Sequence, residues 1–345
     1  MTGPIRVLVV DDSAFARKVI REVLQGDPRL EVVDIARDGL DALEKIAQLA
    51  PDVVTLDLAM PSLDGVGLLK ALPSLALAKV PRFVVVSMAE DDSDLVVSAL
   101  QHGAFDFVHK PTALATDRLF DLREELRSKV LAAADAAGVR AAPAPEPLAW
   151  PSNLALTKRQ IVVLGASTGG PQALTQVLGA LPATFPVPIA IALHMPVGYT
   201  EALARRLDQT CALEVVEAHD GVELRPGRAV VARAGMHLRI QRGSPPVGRL
   251  DIRPFDKPHR PSVDVLFCSA AEAFGDRCIG VVLTGMGDDG LVGARALHEA
   301  GSVVLTEAQS SCVVYGMPRC VEVAGLSDRV LPLDGIAQGI RETLG

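Results

Sequence analysis

The sequence predicts an α/β protein of two domains, each a doubly wound, mostly parallel sheet covered by helices, the second with a β-hairpin insertion. Three observations point there. The chain has 345 residues, about twice the usual size of a single domain. Short Val-rich runs alternate with helix-period stretches, first within residues 1–125 and again beyond residue 158, as in parallel sheets joined by crossover helices. The charge is also uneven: residues 1–125 carry 13 Lys+Arg against 21 Asp+Glu, and residues 126–345 carry 21 of each. The formal net charge of −8 therefore belongs to the first segment, as expected of two unlike modules.

In the first segment the strand-like runs are residues 6–10, 31–36, 53–56, 83–87 and 105–108, with amphipathic stretches such as 15–24 and 42–49 between them. Residues 126–157 read as an Ala/Pro-rich linker. Pro143, Pro145, Pro147 and Pro151 exclude a helix interior or a central strand and favour an extended, semi-rigid spacer. Residues 158–345 repeat the alternation, with runs at 161–164, 189–193, 279–283 and 303–306. Residues 228–254 hold closely spaced strand-like runs with no helix-length gap, which predicts the hairpin insertion there.

Composition excludes several classes. An acidic chain with 3% aromatic residues offers neither the basic patch nor the stacking platforms of a nucleic-acid binder. No apolar run approaches the ~18 residues that span a bilayer, and the N-terminus lacks a signal-peptide layout, so no membrane insertion is expected. The five cysteines, all in the second half and without a CxxC pair, suit neither a disulfide framework nor a zinc site. They fit a reducing cytoplasm.

Asp11 and Asp12 follow the first strand run and Asp57 ends the third. In a five-stranded sheet of order 2-1-3-4-5 those strand ends are neighbours and form the ligand crevice. Three converging carboxylates call for a hard divalent cation, with Mg²⁺ the natural candidate. Ser87 and Lys110, at the ends of the fourth and fifth strands, add a hydroxyl and a point charge suited to a phosphoryl group on Asp57. Taken singly, any of these residues could instead cap the helix that follows.

In the second segment Gly165-Ala-Ser167-Thr-Gly169 satisfies G-x-S-x-G between a strand and a helix, the setting of a nucleophile elbow. A structural turn or a phosphate loop would read the same way. His194 ends the next strand run, and Asp288 and Asp289 lie just past another, so a serine, a base and an acid would share one sheet edge. His237 and His259 lie near polar loops and compete for contact with substrate. The order Ser…His…Asp differs from that of α/β-hydrolases. Gly285-Met-Gly287-Asp-Asp-Gly290 also matches G-x-G-x-x-G, with Glu307 placed for a ribose, which supports a rival NAD-dependent oxidoreductase. Against that rival, two aspartates sit where a pyrophosphate would approach. A non-enzymatic, phosphorylation-gated docking module is a further alternative.

Residues 7–13 (Val-Leu-Val-Val-Asp-Asp-Ser), 56–65 (Leu-Asp-Leu-Ala-Met-Pro-Ser-Leu-Asp-Gly) and 108–111 (Val-His-Lys-Pro) resemble the flavodoxin-like receiver domain of two-component response regulators, over about 1–125. The resemblance implies that Asp57 takes a phosphoryl group from a chemotaxis histidine kinase, with Mg²⁺ held by Asp11, Asp12 and Asp57. It further implies that Lys110 assists and that Ser87 and Phe107 form the switch pair. Residues 165–170, 194–196, 259–267, 283–290 and 314–318 resemble chemotaxis protein-glutamate methylesterases. That likeness implies Ser167 as nucleophile, His194 as general base, Asp289 as orienting acid and Thr168 with the Met286 backbone at the oxyanion. It implies no cofactor for the esterase, and a substrate in the cytoplasmic part of methylated chemoreceptors, with glutamine deamidation as a related activity. Ala59, and the turn at residues 232–237, depart from the family pattern.

Overall fold

In a computed structural model that describes residues 3–75, 77, 79–87, 93–110, 116–136, 157–253 and 259–344, the Val-rich runs become strands of two parallel sheets. The chain divides into two units, Met1–Gly138 and Val139–Gly345. Residues 137–156, with all four prolines of the expected spacer, lie outside the described residues.

The first unit runs β1 (Ile5–Val10), α1 (Ala14–Gln25), β2 (Leu30–Ala36), α2 (Gly39–Leu49), β3 (Val53–Leu56), α3 (Gly65–Ala71), β4 (Arg82–Ser87), α4 (Ser93–Gln101), β5 (Asp106–His109) and α5 (Thr116–Asp135). The strand order is β2-β1-β3-β4-β5, and every pairing is parallel. Val7–Val10 and Val53–Leu56 are buried, as a sheet covered on both faces requires. Each aliphatic side chain among them contributes about 1.5–3 kcal/mol. Ser13, Asp38 and Asp64 cap α1, α2 and α3 through their side chains, each worth about 1 kcal/mol. Val10 pairs with Leu56 across β1 and β3, so the residues that follow, Asp11 and Asp57, emerge at one edge.

The second unit runs β6 (Ile161–Ala166), α6 (Gly170–Gly179), β7 (Ile189–Leu193), α7 (Tyr199–Thr210), β8 (Glu214–Glu217), β9 (Val222–Glu223), β10 (Arg228–Val231), β11 (His237–Gln241), β12 (Val247–Asp251), α8 (Val263–Phe274), β13 (Cys278–Val282), α9 (Leu291–Glu299), β14 (Val303–Glu307), α10 (Met317–Val323), β15 (Arg329–Leu331) and α11 (Leu333–Leu344). Seven strands form a parallel sheet of order β15-β14-β13-β6-β7-β10-β8. The chain leaves β6 toward β7 on one side and returns to β13 on the other. The switch point therefore lies between β6 and β13, where an open α/β sheet places its ligand crevice.

The insertion is narrower than residues 228–254. β11 and β12 form the antiparallel hairpin, with β9 added at its edge, while β10 belongs to the main sheet beside β7. Burial explains the division. Ala229, Val230 and Val231 are covered on both faces, whereas β12 keeps Arg249 exposed. Among the described residues no helix is long and apolar enough to cross a membrane. All five cysteines are free.

Candidate functional site

At the carboxyl edge of the first sheet, Asp11 and Asp57 are buried and Asp12 is exposed. Ligand oxygens from the three all lie within 4.8 Å of one another. Lys110 Nζ bridges the buried pair, 2.5 Å from Asp11 Oδ2 and 2.9 Å from Asp57 Oδ2. Burial pushes the Asp57 pKa up; Lys110 opposes that and Asp11 adds to it. One lysine thus faces two buried carboxylates, and apart from its ion pair Asp11 Oδ2 has no hydrogen-bond partner among the described residues. That donor set, hard oxygens of three carboxylates with a single lysine as counter-charge to the buried pair, fits a small divalent cation. Ser87 is fully buried at the end of β4, and its carbonyl accepts the Lys110 N–H at 2.7 Å. Phe107 is 3% exposed, with Lys129 Nζ 5.4 Å from its ring centroid.

In the second unit Ser167 follows β6 directly. Its N–H bonds the Thr284 carbonyl at 3.0 Å and its own carbonyl accepts from Gly170 at 2.7 Å, which clamps the turn between β6 and the loop after β13. Gly169 adopts φ +79° to reverse the chain into α6, a conformation costly for residues with a Cβ. His194 follows β7, and its N–H bonds the Ala166 carbonyl at 3.1 Å, beside Ser167. Thr168 is buried and the Met286 side chain is exposed. The Thr168 carbonyl accepts the Thr284 hydroxyl at 3.0 Å, which ties the elbow to the loop that carries Met286.

His194 Nε2 lies 2.7 Å from Asp289 Oδ2. Asp289 also accepts from Ser262 Oγ (2.9 Å), Val263 N (2.8 Å), Asp264 N (3.0 Å) and Gly290 N (3.1 Å). Burial alone would raise its pKa. The His194 hydrogen bond and charge, with the amides of Asp264 and Val263, hold it below the ordinary carboxylate value. The acid of the pair is thus kept ionised and oriented. His194 Nδ1, the ring's other nitrogen, is buried and has no hydrogen-bond partner among the described residues. The Asp289–His194 link is formed, whereas the Ser167–His194 hydrogen bond is not; such bonds are often loose until substrate arrives.

One expectation changes, and the rival reading loses its support. His237 is 2% exposed and does not face a substrate loop: its Nδ1 accepts the Ser262 N–H at 3.2 Å, and burial lowers its pKa. It supports the segment that holds Asp289. The dinucleotide reading is disfavoured. Glu307, placed by spacing to meet a ribose, is fully buried, with one oxygen on Thr284 N at 2.8 Å and the other on Ser311 Oγ at 3.0 Å. It holds the loop after β13.

Sequence reasoning assigned no role to Ser262 or Asp264, and His259 only as a possible substrate contact. The His259 ring stacks on His194 with centroids 4.0 Å apart and planes 17° from parallel. All three lie in residues 259–267, a stretch whose only signal was its likeness to a family motif.

A parallel sheet edge with a carboxylate triad, followed in the same chain by a parallel sheet presenting Ser, His and Asp, defines a response regulator with a hydrolase output domain. Residues 162–340 match the family described as CheB methylesterase, and residues 7–121 match the response regulator receiver domain. The chain is 59% identical over 345 residues to the protein-glutamate methylesterase/protein-glutamine glutaminase 5 of Myxococcus xanthus, covering 99% of this chain and 98% of the relative. It is 43% identical over 347 residues to a Geobacillus kaustophilus protein named protein-glutamate methylesterase/protein-glutamine glutaminase, covering 99% of each. The crystal structure of the Thermotoga maritima CheB methylesterase catalytic domain matches with 41% identity and a TM-score of 0.52, covering 53% of this chain and 98% of that one. The chain belongs to the CheB methylesterase family, with a response regulator receiver domain preceding the catalytic domain.

Proposed function

We propose that this protein is a phosphorylation-regulated serine esterase that removes methyl groups from glutamate methyl esters of chemoreceptors in chemotaxis adaptation. The observation that carries the reading is the His194–Asp289 pair at 2.7 Å, on the sheet edge that also presents Ser167. Asp289 fixes the proton on Nε2, so Nδ1 keeps its lone pair for the serine. Ser167 Oγ attacks the ester carbonyl carbon and His194 Nδ1 takes its proton. The oxyanion collects beside Thr168 and the Met286 backbone. The proton passes to the methoxy oxygen, the ester C–O bond breaks, and methanol leaves an acyl-serine. Water then adds to the acyl carbon, giving up one proton to His194. That proton returns to Ser167 Oγ as the C–O bond to the serine breaks, and the released glutamic acid loses the second proton to solvent to become the carboxylate. With an amide in place of the ester, the same steps release ammonia from a receptor glutamine, the second activity in the relatives' name.

In this reading residues 1–125 are the receiver, whose last helix α5 runs on to Asp135 with Leu126 and Val130 buried, so the linker begins after α5 rather than at residue 126, and residues 158–345 are the catalytic domain. Asp57 accepts the phosphoryl group from a chemotaxis histidine kinase in the cytoplasm. Asp11, Asp12 and Asp57 would hold Mg²⁺, which when bound supplies counter-charge for phosphoryl transfer. Lys110 steadies the Asp57 carboxylate, and Ser87 and Phe107 respond to its phosphorylation. The test is methanol release from methylated receptor membranes, wild type against Ser167→Ala. Loss of release in the variant is expected, and equal rates refute the assignment.

A further inference from the structure

Behind Asp289 lies a second buried carboxyl group that these steps leave unused. Asp264, in the first turn of α8, is fully buried. Its Oδ1 accepts the N–H groups of Gly290 and Gly293, each at 2.8 Å, at the N-terminus of α9. Asp289, just ahead of α9, in turn accepts the N–H groups of Val263 and Asp264 at the N-terminus of α8. Each helix is capped by the other's carboxylate. The two groups also share a donor, since the Gly290 N–H reaches Asp264 Oδ1 at 2.8 Å and Asp289 Oδ1 at 3.1 Å.

Neighbouring carboxylates that are 0% and 2% exposed cannot both ionise without large cost. Asp289 has His194 and four further donors to hold its charge. Asp264 has two amides on one oxygen, and its Oδ2 is buried with no hydrogen-bond partner among the described residues. That is a place for a proton. Burial, and then the charge of Asp289, push the Asp264 pKa up to about 6. From other elements, His194 bonds Asp289 and has His259 stacked on it, and His237 of β11 feels the Asp289 charge with Asp251, Arg239 and Arg260 around it. Cys268 and Glu272 lie along α8 itself. The charged side chains of α9, Arg295, His298 and Glu299, are exposed.

We propose that Asp264 is a positioning residue of the esterase site: it shares a proton with Asp289, holds that carboxylate against His194 through the crossed helix caps, and sets the negative charge the general base faces. This rests on the esterase reading above. While the pair keeps its proton, His194 faces one negative charge. As pH rises and the proton leaves, a second charge favours the imidazolium, which cannot take the Ser167 proton.

The experiment follows methanol release from methylated receptor membranes by the full-length protein, across the acid limb and plateau of the pH profile. Asp264→Asn keeps an acceptor for the α9 amides and a donor toward Asp289, but has no proton to lose. Its plateau kcat should stay within about threefold of wild type, with the acid limb of kcat/KM displaced to lower pH by roughly half a unit or more. Asp264→Ala removes the cap and should lower kcat at least about tenfold with KM within about twofold. An Asp264→Asn profile that superimposes on wild type overturns the proposal, as does a wild-type kcat in Asp264→Ala. Where the Ala variant does not fold, the Asn profile decides alone. Failure of the esterase reading has a separate signature, methanol release by Ser167→Ala at the wild-type rate.

Discussion

Asp289→Asn tests the site most directly, because the structure dictates which way the amide must turn. Asp289 Oδ1 accepts from Ser262 Oγ, Asp264 N and Gly290 N, and Oδ2 from His194 Nε2 and Val263 N. An asparagine NH₂ in the Oδ1 position would confront two fixed backbone donors and a hydroxyl. In the Oδ2 position it confronts one fixed donor and an imidazole that can move its own proton. Each buried donor left facing another costs about 1–3 kcal/mol, so the second orientation wins. His194 then accepts at Nε2 and carries its proton on Nδ1, the nitrogen needed as the base. The wrong tautomer in a comparable triad costs about 10⁴ in kcat, or about 5 kcal/mol on the barrier. The expected result in the methanol-release assay is a kcat reduced by roughly 10³–10⁴-fold, with KM changed only a few-fold. The lost caps should also lower Tm by a few degrees, from about 2–4 °C per kcal/mol for a domain of this size. A kcat within tenfold of wild type would refute the tautomer argument.

Mg²⁺ at ten times its dissociation constant should stabilise the receiver by ~1.4 kcal/mol, read as a rise of a few degrees in its Tm that a chelator reverses. Asp57→Asn should weaken that rise, and a wild-type Tm indifferent to Mg²⁺ argues against the carboxylate site. Gly293→Ala would place a Cβ 2.5 Å from Phe267 Cβ and 3.1 Å from Asp264 Cα, forcing α8 and α9 apart. Thermal unfolding should show a loss of about 1–3 kcal/mol, and an unchanged Tm would mean the helix crossing is looser than its geometry.

Strand composition made most of the fold legible. A run of Val, Ile, Leu or Ala four to six residues long, buried on both faces, leaves few choices but a parallel strand, and β1, β3, β6, β7 and β13 all emerge where such runs occur. β10 was absorbed into the hairpin because Arg228–Val231 and the β11 run are separated by a short turn, and periodicity does not say which sheet a strand joins. The site was legible where chemistry sits at a strand end, as with Asp11, Asp57, Ser167 and His194. It was illegible where function depends on two helices meeting. An acidic residue in the first turn of a helix is ordinary, a favourable partner for the helix dipole. Nothing in the sequence says that Asp264 is buried against an acid 25 positions away. His259 was hidden for the same reason, since stacking on His194 is a tertiary contact with no spacing rule.

The loop at residues 285–290 shows why a glycine pattern alone misleads. In a dinucleotide fold the three glycines let backbone amides at a helix N-terminus approach a pyrophosphate. Here Gly285 is needed because a Cβ would strike Met317 Sδ and lie 2.8 Å from Ser167 Cβ. Gly287 and Gly290 take φ +87° and +102°, turning the chain into α9. The α9 amides do bind an anion, but the protein supplies it: Gly290 N–H points at Asp264 and Asp289, and Gly293 N–H at Asp264. Aspartates in the loop argue against pyrophosphate for the same reason that they suit an esterase. A helix N-terminus that would stabilise a ligand's charge instead stabilises the charge that orients His194. The spacing is shared because the backbone problem is shared, and the identity of the anion is what separates the two functions.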